Sequence, residues 1–285
     1  MKKEYDLVVI GAGLSSLMFL NRYLKKFKHH SILILEQKEK VEKNQTFCVW
    51  EGPGLNSIQK SFNLKPKKTW EKIFIKHHDK ELKRDISPYK YVCFDGYNTL
   101  KQLIEDYSDQ LEIKRNIVVE KIEKKHNLYI IYSKNKLFKG NYVVDSRNNY
   151  AETDIKSAHI KQAFVGHEIQ VSKNTFTPDR ATIMSFTDNS QEVEFTYILP
   201  FSNKKALIET TIFSKNPNLK DIERKHKTIL KAYKNHKVIR IEKAIIPMAI
   251  IKTDSKDGVL KIGTGAGMVR PVSYTHLRAH ETDIN

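Results

Sequence analysis

The stretch Tyr5–Leu20, YDLVVIGAGLSSLMFL, constrains the fold more than any other part of the chain. Leu7, Val8, Val9 and Ile10 form a short continuous apolar run, the pattern of a strand buried on both faces. Gly11-Ala12-Gly13 follows at once, and Leu14 to Phe27 carries apolar residues at helical spacing (Leu14, Leu17, Met18, Leu20, Leu24). Strand, glycine turn and helix open a dinucleotide-binding βαβ unit. Gly11 permits the tight turn. Gly13 lets backbone N–H groups approach a pyrophosphate, which then sits at the positive end of the helix. Ser16 stands where the fingerprint has its third glycine; it is small enough for close helix–strand packing. Ser31–Leu35 (SILIL) is a second buried-strand pattern and ends in Glu36. An acid about 20 residues past the glycines suits the ribose hydroxyls of an adenosine. The bland alternative is a doubly wound sheet whose first turn is merely tight.

Further along, Thr69–Ile75 (TWEKIFI) reads as a strand, Tyr97–Leu111 as an amphipathic helix, and the segment from Ile113 to Leu137 as strands with a turn near His126-Asn127. Gly140–Arg147 (GNYVVDSR) is another buried strand ending in an acid. Residues 151–257 then carry alternating strand patterns with few glycines, as expected of an antiparallel sheet, and a basic amphipathic helix over Leu219–His236. Gly258–Pro271 (GVLKIGTGAGMVRP) repeats the strand-then-glycine logic, so Gly263, Gly265, Gly267 and Arg270 join the candidate cofactor residues. The expected class is α/β: a Rossmann-like FAD/NAD(P)-binding domain with a second α+β substrate domain carrying an antiparallel sheet. The expected division is 1–50 with 91–150 and 258–271 for the cofactor, and 51–90 with 151–257 for the substrate. Residues 272–285 (VSYTHLRAHETDIN) show neither period nor turn logic and read as a non-native tail on a C-terminally truncated chain.

Composition narrows the partners. With 50 Lys and Arg against 33 Asp and Glu the net charge is +17. Neither clustered arginine with stacking aromatics nor a known nucleic-acid module is visible, which argues against nucleic acid. Scattered solvated lysines or attraction to an anionic membrane face remain. No apolar run reaches bilayer length, and the N-terminus lacks a convincing signal-peptide cleavage site. Cys48 and Cys93 are far apart in sequence and suggest neither a disulfide framework nor zinc; a reducing cytosol fits. The neighbours His29-His30 and His77-His78 should point apart and make poor metal sites, and no metal is expected.

Several segments together resemble the lycopene cyclase family, in its bacterial β-cyclase branch: DLVVIGAGLSSL, NQTFCVWE, DISPYKY, QAFVGHEI, ATIMSF, FTYILPFS, ALIETTIFS, the Ile-Pro-Met ending at Met248, and IGTGAGMVRP. The order of FTYILP and ALIETT is the specific part. The departures are Ser16 for glycine, Ser185 where the family has an acid, Ala244 for glycine, and the loss of the continuation after Arg270-Pro271. The resemblance implies a redox-neutral cyclisation of linear carotene end groups such as those of lycopene. It implies reduced FAD, with NAD(P)H as electron source, and peripheral association with the inner face of the cell membrane from the cytoplasm. It makes Glu209 the essential acid. Burial raises the pKa of a carboxyl group, so such an acid stays protonated near neutral pH. Trp50, Tyr89 and Tyr197 are candidate cation-stabilising aromatics, with core packing as the plainer role. Two rivals stand beside this reading: another FAD-dependent oxidoreductase of the same superfamily (geranylgeranyl reductase, monooxygenase or halogenase), and an inactive fragment that binds dinucleotide weakly or aggregates.

Overall fold

The computed structural model describes residues 3–40, 46–55, 57, 59–60, 65–134, 136–147, 160–187, 192–248 and 258–268. The first sheet has seven strands in the order β8-β2-β1-β11-β10-β9, with β17 added beside β11. These are β1 (Glu4–Ile10), β2 (Ile32–Leu35), β8 (Leu111–Lys114), β9 (Val119–Lys125), β10 (Leu128–Ser133), β11 (Lys136–Asp145) and β17 (Leu260–Lys261). Strands β8, β2, β1, β11 and β17 run parallel; β10 and β9 return antiparallel. Both faces of β1 are covered, which explains its unbroken apolar run. Leu7 and Val9 pack against helices α1 (Leu14–Lys26) and α2 (Gly96–Asp106), and Val8 and Ile10 pack against the apolar side of β9, β10 and β11. Val8 and Val9 have no exposed surface; each contributes about 1.5–3 kcal/mol by burial.

Local signals set the helix ends. Lys25 and Lys26 sit in the last turn of α1, where they complement the helix dipole. The Asp95 carboxylate caps α2 by accepting from Tyr97 N at 2.9 Å and Asn98 N at 3.2 Å. This helix ends at Asp106, five residues before the expected Leu111, because Leu111 pairs with Ile32 of β2.

The second sheet also has seven strands, in the order β16-β12-β15-β14-β13-β5-β6. They are β5 (Lys72–His77), β6 (Lys80–Asp85), β12 (Ile160–Gln170), β13 (Ala181–Phe186), β14 (Val193–Ser202), β15 (Lys205–Ser214) and β16 (Lys237–Met248). Every pair is antiparallel except β13 with β5. Helix α3 (Leu219–Leu230), shorter than the expected Leu219–His236, lies on one face over Ala163, Val165 and Ile212.

A small sheet, β3 (Thr46–Glu51), β7 (Lys90–Asp95) and β4 (Lys68–Trp70), stands between the two large ones. Side chains alternate along a strand, and here the alternation divides cleanly. Val49, Val92 and Phe94 join the core of the first sheet. Cys48, Tyr91 and Cys93 join Tyr197, Leu199 and Leu207 of the second. The expected single strand over Thr69–Ile75 is broken at Glu71: β4 belongs to the small sheet and β5 to the second large one. The expectation that His77 and His78 point apart also fails. His78 has φ 51° in the turn after β5, and the two rings approach to 4.4 Å.

Candidate active site

At the carboxyl end of β1 the chain turns through Gly11, whose φ is 92°. A Cβ there would lie 2.4 Å from Ser146 Oγ. Ser146, just past β11, donates to Ile10 O from both its backbone N (2.9 Å) and its hydroxyl (2.8 Å). Gly13 is extended and starts α1, with no side-chain cap and open space where its Cβ would be. The first-turn amides of α1 therefore face that space, as an anion cradle requires. Ser16 is fully buried, and its hydroxyl has no partner among the described residues. Its side chain serves packing, and only its backbone N–H belongs to the helix start.

The other expected cofactor residues meet the same turn. Glu36 follows β2 and accepts from Ala12 N at 2.7 Å and from Lys38 N at 2.9 Å. Ile262 N donates to Asp145 O at 3.0 Å and brings in the late glycine segment. Gly263 (φ 68°) touches the start of α1: its Cβ would be 2.9 Å from Ser15 Oγ. Gly265 is buried in the 3-10 turn Gly263–Ala266, which Gly267 closes at φ 70°. Arg270 lies outside the described residues, as do 272–285. One pair was not foreseen. Arg147 forms a two-pronged ion pair with buried Asp145 (2.9 and 2.7 Å) and donates to Val119 O at 2.6 Å, fixing the chain as it leaves β11. The sequence signal was an acid, a small residue and an arginine directly after a buried strand.

Glu209 lies in the middle of β15, 2 % exposed. Its Oε1 accepts from Thr211 Oγ1 at 2.8 Å. Register places it in one row across four strands: Glu242 of β16, Gly166 of β12, Glu209 of β15 and Tyr197 of β14. This row is on the face that meets the small sheet. Tyr197 touches the Tyr91 hydroxyl through its own, and the Trp50 ring is 5.1 Å from that of Tyr91. Burial pushes the Tyr91 phenol well above its ordinary pKa, so it stays neutral. Tyr89, by contrast, is 42 % exposed and rests beside Gly52, away from this cluster. Ser185 pairs with Thr196, itself opposite Thr210, and so belongs to the other face of the sheet.

Charged side chains complete the row. Glu242 Oε2 accepts from Arg240 Nη1 at 2.8 Å and from Thr46 Oγ1 at 3.0 Å. Arg240 Nε also donates to Glu168 Oε2 at 2.6 Å, and Glu168 pairs with Lys67 (2.7 Å) and Lys205 (2.8 Å). Burial alone would raise Glu168, but hydrogen bonds from Lys205, Lys67 and Arg240 outweigh it and hold the carboxyl at about 2. Among the described residues no cluster of three or more His, Cys, Asp or Glu forms a metal site, and no helix is long and apolar enough to cross a membrane.

Comparison with known proteins agrees with this architecture. Among solved structures the chain is similar to p-nitrophenol 4-monooxygenase from Pseudomonas putida (TM-score 0.72, 12% identity, 95% of this chain and 75% of that one). It is also similar to a geranylgeranyl bacteriochlorophyll reductase-like protein from Thermoplasma acidophilum (0.70, 12%, 96% and 74%), and to a halogenase solved with phloroglucinol and FAD (0.67, 12%, 95% and 66%). Among curated proteins, the chloroplastic neoxanthin synthase of Solanum tuberosum is 26% identical over 161 residues. That match covers 50% of this chain and only about a third of the relative, 32% of its length. The sequence profile of the lycopene cyclase protein family matches residues 6–281. That match takes in both glycine segments and the row that holds Glu209, and the chain belongs to the lycopene cyclase family.

Proposed function

We propose that this protein is a lycopene β-cyclase, which closes linear carotene end groups into β-rings without net oxidation. The observation that carries the reading is Glu209: a carboxyl group 2 % exposed, in register with Tyr197, on the sheet face packed against Tyr91 and Trp50. A shielded acid beside aromatic rings suits protonation of an alkene and passage of a carbocation. The proton goes from the carboxyl to the terminal double bond. An internal double bond attacks the cation and closes the ring, and a proton lost from a ring carbon restores the carboxyl. No external oxidant or reductant enters that balance.

The glycine cradle supports FAD as the cofactor. Gly13 leaves open space where its Cβ would be, and Gly11 and Gly263 let Ser146 and Ser15 close in on the turn; the uncapped start of α1 would take the pyrophosphate and Glu36 the ribose, with Gly265 and Gly267 in the turn beside them. Reduced FAD, maintained by NAD(P)H, would supply negative charge that offsets the carbocation. We read the first sheet as the FAD domain and the second as the carotenoid domain. A water-insoluble substrate calls for a protein working in the cytoplasm against the inner face of the cell membrane, and the excess of 50 basic over 33 acidic residues favours that surface.

The test is expression of the protein in a lycopene-accumulating bacterium. The pigment spectrum should shift to that of a cyclised carotene, and Glu209→Gln should lower ring formation by at least about 100-fold while leaving FAD bound. Unchanged turnover in that variant would refute the role of Glu209. The fold shared with a monooxygenase and a reductase-like protein supports a second reading, an FAD-dependent oxidoreductase. Oxygen or reductant consumed in step with product would establish that instead.

A further inference from the structure

The second sheet has two edges, and they are built differently. At one, β6 reads Lys-Glu-Leu-Lys-Arg-Asp and every residue is exposed. Charge along an edge keeps it from associating, and Leu82 is the single apolar residue there. At the other, β16 is 12 residues long and pairs only with β12 among the described residues. It carries Val238, Ile239, Ile241 and Ile245, each 39–49 % exposed. Register places three of them on the face that holds α3. Val238 is opposite Ile169, Ile241 opposite His167 and Ile245 opposite Ala163; Ile169 and Ala163 belong to the core beneath that helix. Lys243 stands between Ile241 and Ile245 and reaches Glu223 of α3 at 2.7 Å. Exposed apolar residues scattered singly are ordinary, whereas a contiguous row marks an interaction site.

The chain around this row is strongly basic. Residues 219–248, from α3 through β16, hold nine Lys and Arg against three Asp and Glu, a net charge of +6. All three acids are already engaged: Asp221 with Arg224, Glu223 with Lys243 and Glu242 with Arg240. Two copies set edge to edge about a twofold axis would face this charge with itself. A surface of anionic lipid headgroups matches it. We propose that the outer face of β16, with α3 beside it, is the surface that docks this protein on an anionic lipid bilayer. The inference deepens the reading of a protein that works against a membrane, and rests on it.

Backbone chemistry sets how deep the contact goes. An edge strand presents N–H and C=O groups that hydrocarbon cannot satisfy and the wet headgroup layer can. The contact is therefore shallow. Val238, Ile241 and Ile245 reach the boundary between headgroups and acyl chains, and the exposed Lys231, Lys234 and Lys237 meet the phosphates. In the order β16-β12-β15, this edge is two strands from the one that carries Glu209, about 9.5 Å. Lipid held against β16 is thus beside the row that holds the acid, on the side from which a carotene dissolved in the bilayer would come.

The test is sedimentation of the full chain with vesicles of phosphatidylglycerol or of phosphatidylcholine, with amide hydrogen exchange of the wild type beside it. The protein should pellet with phosphatidylglycerol at least about tenfold more than with phosphatidylcholine, and salt raised from about 0.1 to 0.5 M should release it. Ile241→Glu should lower the partition at least about tenfold. Leu82→Glu, at the opposite edge, should leave it unchanged. Phosphatidylglycerol should also slow exchange of the amides of residues 237–245, a readout that needs no variant. Equal pelleting of Ile241→Glu, or exchange in β16 that the vesicles do not slow, overturns the proposal. A dimer in the absence of lipid that Ile241→Glu splits overturns it in favour of a second copy. Full protection of the β16 edge without lipid or dimer overturns it in favour of the protein's own chain. Vesicle binding through β16 in a protein that never forms rings would leave the docking surface standing and refute the cyclase reading alone; ring formation by a protein whose β16 ignores vesicles would do the reverse.

Discussion

Thr210 Oγ1 and His226 Nδ1 share a hydrogen bond of 2.9 Å that ties α3 to the strand carrying Glu209. His226 has no exposed surface and stacks on His167 with ring centroids 4.7 Å apart. Burial first, and the neighbouring His167 second, lower its pKa to about 4. A histidine buried neutral binds fewer protons folded than unfolded. Its contribution is therefore complete above pH 6.5 and lost as pH falls from there towards 4. Urea unfolding should show about 2–3 kcal/mol less stability at pH 4.5 than at pH 7.5 from this site. His226→Gln should flatten that slope; an unchanged slope would place the titrating group elsewhere.

The two glycines of the first turn should respond in opposite ways. Gly11→Ala forces a side chain into φ 92° against Ser146 and should cost about 1–3 kcal/mol in thermal unfolding. Gly13 is extended with nothing near its Cβ. Gly13→Ala should change stability by less than about 0.5 kcal/mol yet weaken flavin binding about tenfold, read by fluorescence titration. Equal flavin affinity in that variant would move the pyrophosphate away from α1.

Glu168 is a buried acid with three cationic partners, Lys67, Lys205 and Arg240. Its folded pKa of about 2 lies below the ordinary 4.5. The stability it adds is present above pH 4.5 and disappears as pH falls through 2. Glu168→Gln should cost about 2–3 kcal/mol at pH 7 and shrink the loss on acidification. A variant as stable as wild type at pH 7 would mean the cations are solvated in the absence of the acid.

Cys48 and Cys93 are direct partners on β3 and β7, both free and buried. Burial, then the Cys93 thiol beside it, pushes the Cys48 pKa well up. Thiolate is the reactive form. Both cysteines should react with a disulfide reagent at pH 8 roughly 100-fold more slowly in the folded protein than in denaturant. Fast reaction of one thiol in the native state would show that the small sheet opens.

The glycine turn after β1 was legible because its geometry is local. Gly11, Gly13 and Glu36 are fixed by one strand, one turn and the next strand, and each lies where its pattern places it. Gly263 followed by the same local logic, though its contact with Ser15 is long-range. The sheet face that carries Glu209 was only partly legible. Glu209 stood out by its resemblance to a family motif, whereas nothing local distinguishes Glu242 from Glu223 or Lys243 nearby. Its surroundings depend on register with Gly166 and on Thr46, almost two hundred residues away. The pairing of Cys48 with Cys93 is likewise a register effect, which is why two unrelated sequence contexts end up face to face. The break at Glu71 leaves no mark in the sequence, because apolar content shows burial but not which sheet a strand joins.

Successive side chains of β15 leave the sheet in opposite directions, so the Glu209 carboxyl and the Thr210 hydroxyl are separated by a single peptide unit. A change in the footing of α3 on the outer surface thus acts one peptide unit from Glu209, on the opposite face of the sheet. Substitutions at His226, His167 and Ile222 would therefore reach Glu209 from behind its own strand.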